Sequence, residues 1–257
     1  MARGTALVTG ASSGLGSEFA KLCAAGGYDV VLLARRATRL DQLAADLAKA
    51  HGVKARALAA DLSDPDAPPA IFAQLSGTPI DILINNAGFG MRGPFAETDW
   101  ARDTCLMQVN MVALAHLTRL FLPEMISRRS GRVLNVASTA AFVPGPFMAL
   151  YYASKAFVLS LSEALANEVQ GTGVSVTVLC PGPTTTEFAQ SAGVGDSELF
   201  HGPVMGAAEV ARIGYDAMVA GKPSVIAGAR NRWMMRGTRL VPRDWVAAQT
   251  RRLNWGK

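Results

Sequence analysis

The stretch Thr5-Ala6-Leu7-Val8-Thr9-Gly10-Ala11-Ser12-Ser13-Gly14-Leu15-Gly16 decides the fold. A short apolar run with strand character stops at a glycine, and an alanine-rich, helix-compatible segment starts at the next two. Glycines at 10, 14 and 16, set between a strand and a helix, let the backbone approach a pyrophosphate. They also present amide donors to it at the positive end of the helix. The spacing departs from the commoner Gly-x-Gly-x-x-Gly form, and helix caps and tight packing also collect glycine. The string therefore gains its weight from the rest of the chain.

The same alternation continues outward. Short β-branched apolar runs at 5–9, 29–33, 54–59, 81–85, 131–137, 175–180 and 224–227 are predicted strands. Between them, 14–25, 38–51, 65–75, 99–128, 151–170 and 207–220 are predicted helices, several ending at or near glycine. This pattern predicts an α/β fold: a doubly wound, Rossmann-like, parallel seven-stranded sheet with helices on both faces, in a single domain. The ligand crevice is expected at the carboxyl ends of the strands, rimmed by the weakly patterned stretches 89–98, 142–150 and 184–205. Residues 1–228 are read as the dinucleotide-binding catalytic part, with 184–205 as its substrate loop. Residues 229–257 are read as a basic extension of the same domain.

Half of the 257 residues are hydrophobic and 18% are charged, which suits one well-packed core and excludes a disordered chain. The apolar stretches read as too short to cross a bilayer. The first strand begins almost at once, so the sequence is read as a cytoplasmic protein. Cys23, Cys105 and Cys180, like His51, His116 and His201, are widely scattered, and neither a disulfide framework nor a metal is expected.

At the end of the second strand stands Leu33-Ala34-Arg35-Arg36, where a binder of the non-phosphorylated cofactor usually places an acid for the ribose 2′-hydroxyl. Two guanidinium groups suit a 2′-phosphate, so NADP(H) is preferred and NAD(H) is the second fit. A solvated basic loop is the plain alternative. Asp61, in Asp61-Leu62-Ser63, has two readings: an acceptor for the adenine amino group, or an N-cap for the adjoining turn. Asn85-Asn86-Ala87-Gly88 closes the fourth strand with small residues against which the adenosine ribose can lie.

Tyr151 and Lys155, in Tyr151-Tyr152-Ala153-Ser154-Lys155, are four apart and share one helix face. The ammonium is expected to lower the phenol's pKa, making Tyr151 a general acid in carbonyl reduction and a base in the reverse. Ser138, ending the fifth strand, can hydrogen-bond the carbonyl. A tyrosine and a lysine at this spacing are common surface neighbours, so the reading rests on the whole set. Tyr152, three from Lys155, is read as packing.

On residues 9–16, Asp61, 85–88, Asn110, Ser138, 151–155 and Pro181-Gly182 with Thr184 and Thr186, the chain resembles the short-chain dehydrogenase/reductase family over nearly its whole length. The resemblance implies that Ser138 orients the carbonyl, Tyr151 transfers the proton and Lys155 also binds the nicotinamide ribose. It further implies that Asn110 helps hold a water linking the lysine to solvent. The cofactor would lie along Gly10, Ser12, Ser13, Gly14, Leu15, Gly16, Arg35, Arg36, Asp61, Leu62, Asn86, Ala87 and Gly88. Pro181, Gly182, Thr184 and Thr186 would stand at its nicotinamide end. Family members assemble as dimers or tetramers through the helices matching 99–128 and 151–170. A cofactor sensor or scaffold without turnover is the rival reading, against which the intact Ser138–Tyr151–Lys155 set argues.

Phe89, Met91, Phe95, Phe142, Val143, Pro144, Phe147, Met148, Phe188 and Leu199 are expected around the substrate. That lining has no cation for a carboxylate, so a hydrophobic ketone or aldehyde is the expected partner. From Ala229 onward, eight basic residues (Arg230, Arg232, Arg236, Arg239, Arg243, Arg251, Arg252 and Lys257) face one acid, Asp244. This net of +7 leaves about −2 for the rest of a chain at +5. Trp233, Trp245 and Trp255 are interleaved with them. Packing against the domain or a second subunit is the preferred reading of this tail, an anionic membrane surface comes second, and nucleic acid is not expected because no nucleic-acid module is present.

Overall fold

A computed structural model describes residues 3–195, 197–198 and 204–255 of the chain. The predicted alternation folds as β1 (Thr5–Thr9), α1 (Gly14–Ala25), β2 (Asp29–Ala34), α2 (Ala37–His51), β3 (Ala55–Ala59), α3 (Ala67–Gln74) and β4 (Ile82–Asn85). It continues with α4 (Trp100–Met107), α5 (Leu114–Ser127), β5 (Gly131–Val136), α6 (Ala149–Glu168) and β6 (Val174–Cys180). Then come β7 (Thr184–Thr185), α7 (Phe188–Ser191), β8 (Met205–Gly206), α8 (Ala207–Val219), β9 (Ser224–Ile226), α9 (Ala229–Gly237) and α10 (Arg243–Trp255).

Seven strands form one sheet in the order β3-β2-β1-β4-β5-β6-β9, with every neighbouring pair parallel. The order reverses at β1, between β2 and β4, which opens a crevice there at the carboxyl ends. Alternate residues of each strand feed opposite faces. Leu7, Val31, Leu83, Val133 and Val176 join Ile71, Leu117 and Phe121 on one side. Ala6, Val8, Leu32, Ile84 and Leu134 join Phe19, Leu40 and Met218 on the other. Asp81 fastens the opposite end of the sheet: its carboxylate accepts from Thr5 N at 2.8 Å and from Arg128 Nη1 at 2.7 Å, joining β1 to the end of α5.

Three expectations need correction. The helix predicted over 99–128 is interrupted by a π-helical turn, Gln108–Ala113, between α4 and α5. The segment Trp100–Ser127 is also long and apolar enough to cross a membrane by length and composition, contrary to the sequence reading. It nevertheless lies along the sheet, with Leu114, Leu117, Phe121 and Met125 buried. Finally, the stretch read as the 184–205 loop carries regular structure: it contains α7, and β7 pairs in parallel with β8 as a two-residue ladder. Leu199 lies outside the described residues.

Candidate active site

The glycine turn is built by close approach. Gly10 has φ +66, a left-handed conformation that favours glycine, and Asn86 Nδ2 donates to the carbonyls of Thr9 at 2.9 Å and Gly10 at 3.3 Å. A Cβ on Gly16 would collide with the Gly10 carbonyl, so α1 starts directly beneath the turn. Thr9 Oγ1 accepts from the backbone N–H groups of Asn86 and Ala87 at 2.9 and 3.0 Å, tying the ends of β1 and β4 together.

Above this floor runs a cavity of about 710 Å³. Gly10, Ser12, Ser13, Gly14, Leu15, Arg35, Arg36, Asp61, Leu62, Asn86, Ala87, Gly88, Ser138, Tyr151, Lys155, Pro181, Gly182, Thr184 and Thr186 all line it. Of the residues singled out in the sequence, Gly16 and Asn110 stand behind the lining, one under the turn and the other between helices.

Arg36 is held in place at the end of β2. Its guanidinium donates to the Ser12 hydroxyl at 3.0 and 3.1 Å and to the Ser13 hydroxyl at 2.7 Å, and pairs with Glu187 at 2.8 Å. Arg39, one turn into α2, pairs with the other oxygen of Glu187 at 2.7 Å. Hydrogen bonds from Arg39 and Arg36 hold the Glu187 carboxyl down at about 2. Neither Arg39 nor Glu187 was legible as part of the site, because their pairing spans 148 residues. Asp61 accepts from Ser63 N at 3.0 Å, the turn-capping role. Partial burial works to raise its pKa, but the bonds to Ser63 and the charge of Arg35 outweigh this and lower it. Its second oxygen leaves the adenine role open.

At the other end, β5 delivers Ser138, which caps a short 3₁₀ turn by accepting from Ala140 N at 3.1 Å. Tyr151 and Lys155 project from α6. Lys155 is buried, its Nζ donates to Val136 O at 2.9 Å, and it lies 5.8 Å from the Tyr151 ring centre. Burial lowers the Lys155 pKa to about 8. The expected lowering of the Tyr151 pKa is not found. Burial drives the phenol above its ordinary value, and a hydrogen bond with the Ser138 side chain offsets this only in part. The phenol therefore keeps its proton at neutral pH, the form a general acid needs.

Asn110 sits in the π turn, a type of irregularity frequent at functional sites. Its amide is fully engaged: Oδ1 accepts from Phe89 N at 3.1 Å, and Nδ2 donates to Phe89 O at 2.9 Å and to Ser154 Oγ at 3.1 Å. A Cβ on Gly88 would stand 3.1 Å from Asn110 Oδ1 and 3.4 Å from Lys155 Nζ, so these three residues meet.

Of the expected substrate residues, Phe89, Met148 and Phe188 line the cavity, joined by Val194. Met91, Phe95 and Phe147 instead border a separate space of about 20 Å³ behind Met148 and Tyr151. Phe142 and Val143 pack into satellite apolar clusters, and Pro144 is absent from the lining. Arg102, on α4, also faces the cavity, a cation the sequence reading did not place there.

The tail supplies a feature with no sequence signal. Asn254 of α10 is fully buried; its Oδ1 accepts from Tyr152 Oη at 2.9 Å, and its Nδ2 donates to Pro146 O at 2.9 Å. Trp255 stacks on Phe147 with ring centres 4.2 Å apart, and Phe147 has the left-handed φ of +64. Tyr152 is thus packed, as expected, but it is also the point at which the end of the chain is fastened next to Tyr151.

The family model described as short chain dehydrogenase matches residues 4–196. A short chain dehydrogenase of Pseudocercospora fijiensis is 42% identical over 188 residues, 72% of this chain and 60% of the relative. A very-long-chain 3-oxoacyl-CoA reductase of Phaeosphaeria nodorum is 41% identical over 181 residues, 68% of this chain and 53% of the relative. The chain thus spans between half and three-fifths of the length of these relatives. Among solved structures, a short-chain dehydrogenase from Sphingobium yanoikuyae in complex with NADPH superposes with a TM-score of 0.83 at 34% identity. That match covers 92% of this chain and 94% of the other.

Proposed function

The chain belongs to the short-chain dehydrogenase/reductase family, and we propose that it is an NADP(H)-dependent oxidoreductase acting on a carbonyl or secondary alcohol of a hydrophobic substrate. The observation that carries this reading is one continuous cavity. Ser138, Tyr151 and Lys155 stand at one end of it, and the glycine turn with Arg35 and Arg36 lies at the other. When bound, the nicotinamide supplies the hydride for the carbonyl carbon.

The chain's own residues do the rest. Tyr151, holding its proton at neutral pH, delivers it from Oη to the carbonyl oxygen. The Ser138 hydroxyl, which accepts from Ala140 N at 3.1 Å and makes only a long donation to Pro181 O at 3.4 Å, turns its proton to that same oxygen. The Lys155 ammonium stabilises the phenolate that remains, and Asn110 holds α6 through Ser154. The reverse oxidation uses the same groups.

The choice of NADP(H) over NAD(H) is supported by Arg35 and Arg36 standing at the end of β2 where the sequence has no acid, although Glu187 from the later loop pairs with Arg36 there, and by the NADPH bound in the Sphingobium relative. Phe89, Met148, Phe188 and Val194 favour an apolar acyl, aromatic or steroid-sized substrate. The name of the Phaeosphaeria relative makes a 3-oxoacyl thioester a natural first choice. Exposed Val112, Ile126 and Phe157 on the helices over 100–127 and on α6 support a homo-oligomer. We place the protein in the cytoplasm. Oxidation of NADPH and NADH by purified protein across hydrophobic ketones, aldehydes and 3-oxoacyl thioesters tests the reading. Faster turnover with NADPH on an apolar carbonyl is expected, and oxidation of neither cofactor by any of them would overturn it.

A further inference from the structure

Residues 229–255 divide into two parts. The last turns of α10 are fastened to the domain through Asn254 and Trp255, with Arg251 lying 4.8 Å from the Phe147 ring centre. Among the described residues, the stretch from α9 to the first turn of α10 buries only Met235 and Val246. It leaves Leu240 89% exposed, Trp233 73%, Trp245 56% and Met234 49%.

Arg230, Arg232, Arg236 and Arg243 are interleaved with these side chains and make no ion pair among the described residues. Arg236 instead lies 5.8 Å from the Trp233 ring centre. The single acid of the tail is Asp244. Unpaired guanidiniums around exposed indoles and a leucine match the layered chemistry of a bilayer surface. The guanidiniums suit lipid phosphates, the indoles the headgroup level, and the leucine the acyl boundary.

We propose that this corner of the fold, from Arg230 to Trp245, docks the protein on the surface of an anionic lipid bilayer. Charge selects this occupant over a second copy of the chain. A two-fold contact would press a +4 segment, five arginines with one acid, against its own copy. Residues 1–228 carry about −2, so the excess positive charge of the molecule is gathered in 229–257, the segment that contains this corner. α9 also packs behind Pro181-Gly182, where a Cβ on Gly182 would collide with Asn231. The docking surface is therefore continuous with a wall of the active-site cavity.

The test is co-sedimentation of the full chain with vesicles of phosphatidylcholine alone and of phosphatidylcholine with 30% phosphatidylserine, at low and high salt. Binding confined to the anionic vesicles and lost at high salt is expected. The triple variant Arg230→Gln, Arg232→Gln, Arg236→Gln should bind on the order of 100-fold more weakly, about fivefold per charge near the surface. Leu240→Ser with Trp245→Ser should also lose binding. A charge-matched control, Lys49→Gln, Lys54→Gln, Arg56→Gln, removes exposed cations far from the corner and should bind as wild type does. Failure to bind anionic vesicles, or equal loss in the control, would overturn the proposal. So would a fall in oligomer mass by light scattering in the Leu240/Trp245 variant, which would make the surface a contact between copies.

Discussion

Replacing Asn254 by alanine removes a side chain that is fully buried and serves two partners. Tyr152 Oη, on a residue only 7% exposed, loses its acceptor, and Pro146 O loses its donor, both at 2.9 Å in the native structure. Each orphaned group costs about 1–3 kcal/mol if it stays dry, and less if water enters the vacated space, so the expected loss is about 2–4 kcal/mol. Urea unfolding measures it. Tyr152→Phe breaks the same hydrogen bond from the other side, so the double variant should fall short of the summed losses by about 1 kcal/mol. Because Pro146 and Tyr152 flank Met148 and Tyr151, KM for a bulky apolar substrate should rise several-fold, while NADPH affinity, set at the glycine turn, stays as it was. A loss under about 0.5 kcal/mol with strictly additive variants would refute the idea that the end of the chain fastens this wall.

Three further predictions concern the two ends of the cavity. Arg35→Ala with Arg36→Ala should weaken NADPH binding at least tenfold and NADH little, at about 1.5–3 kcal/mol per charge-assisted hydrogen bond lost; equal weakening in a fluorescence titration would contradict it. Lys155 titrates at about 8 when folded against 10.5 in the free side chain, so between these values the unfolded chain binds more protons and stability rises with pH. The unfolding free energy of wild type relative to Lys155→Met should therefore increase by on the order of 3 kcal/mol from pH 7 to pH 10.5, and a flat difference would refute burial as the cause. Gly16→Ala places a methyl against the Gly10 carbonyl and should cost on the order of tenfold or more in NADPH affinity, measured by the same titration.

Strand positions were legible because β-branched runs bounded by glycine read the same way locally and globally; β1 and α1 begin and end where the pattern puts them. The two tail helices were not. α9 reads Ala-Arg-Asn-Arg-Trp-Met-Met-Arg-Gly and buries only Met235, so it has no apolar stripe to find. The buried stripe of α10 is Val246, Thr250 and Asn254, correctly spaced at four residues but mostly polar. The π turn at 108–113 leaves helical periodicity nearly intact, which hid it inside one long predicted helix. Residue types marked Ser138, Tyr151 and Lys155, but the direction of the Tyr151 shift depends on burial, a tertiary quantity. For the same reason Phe147 read as substrate lining, although it serves as the platform for Trp255.

The most direct trial is turnover and NADPH binding by Tyr151→Phe beside wild type on one apolar ketone that the wild type reduces. Removing a single oxygen takes away the proton donor and leaves the ring in place, so turnover should fall by at least 100-fold with NADPH affinity within about twofold. Turnover within a few-fold of wild type would contradict the assignment of Tyr151 as the acid.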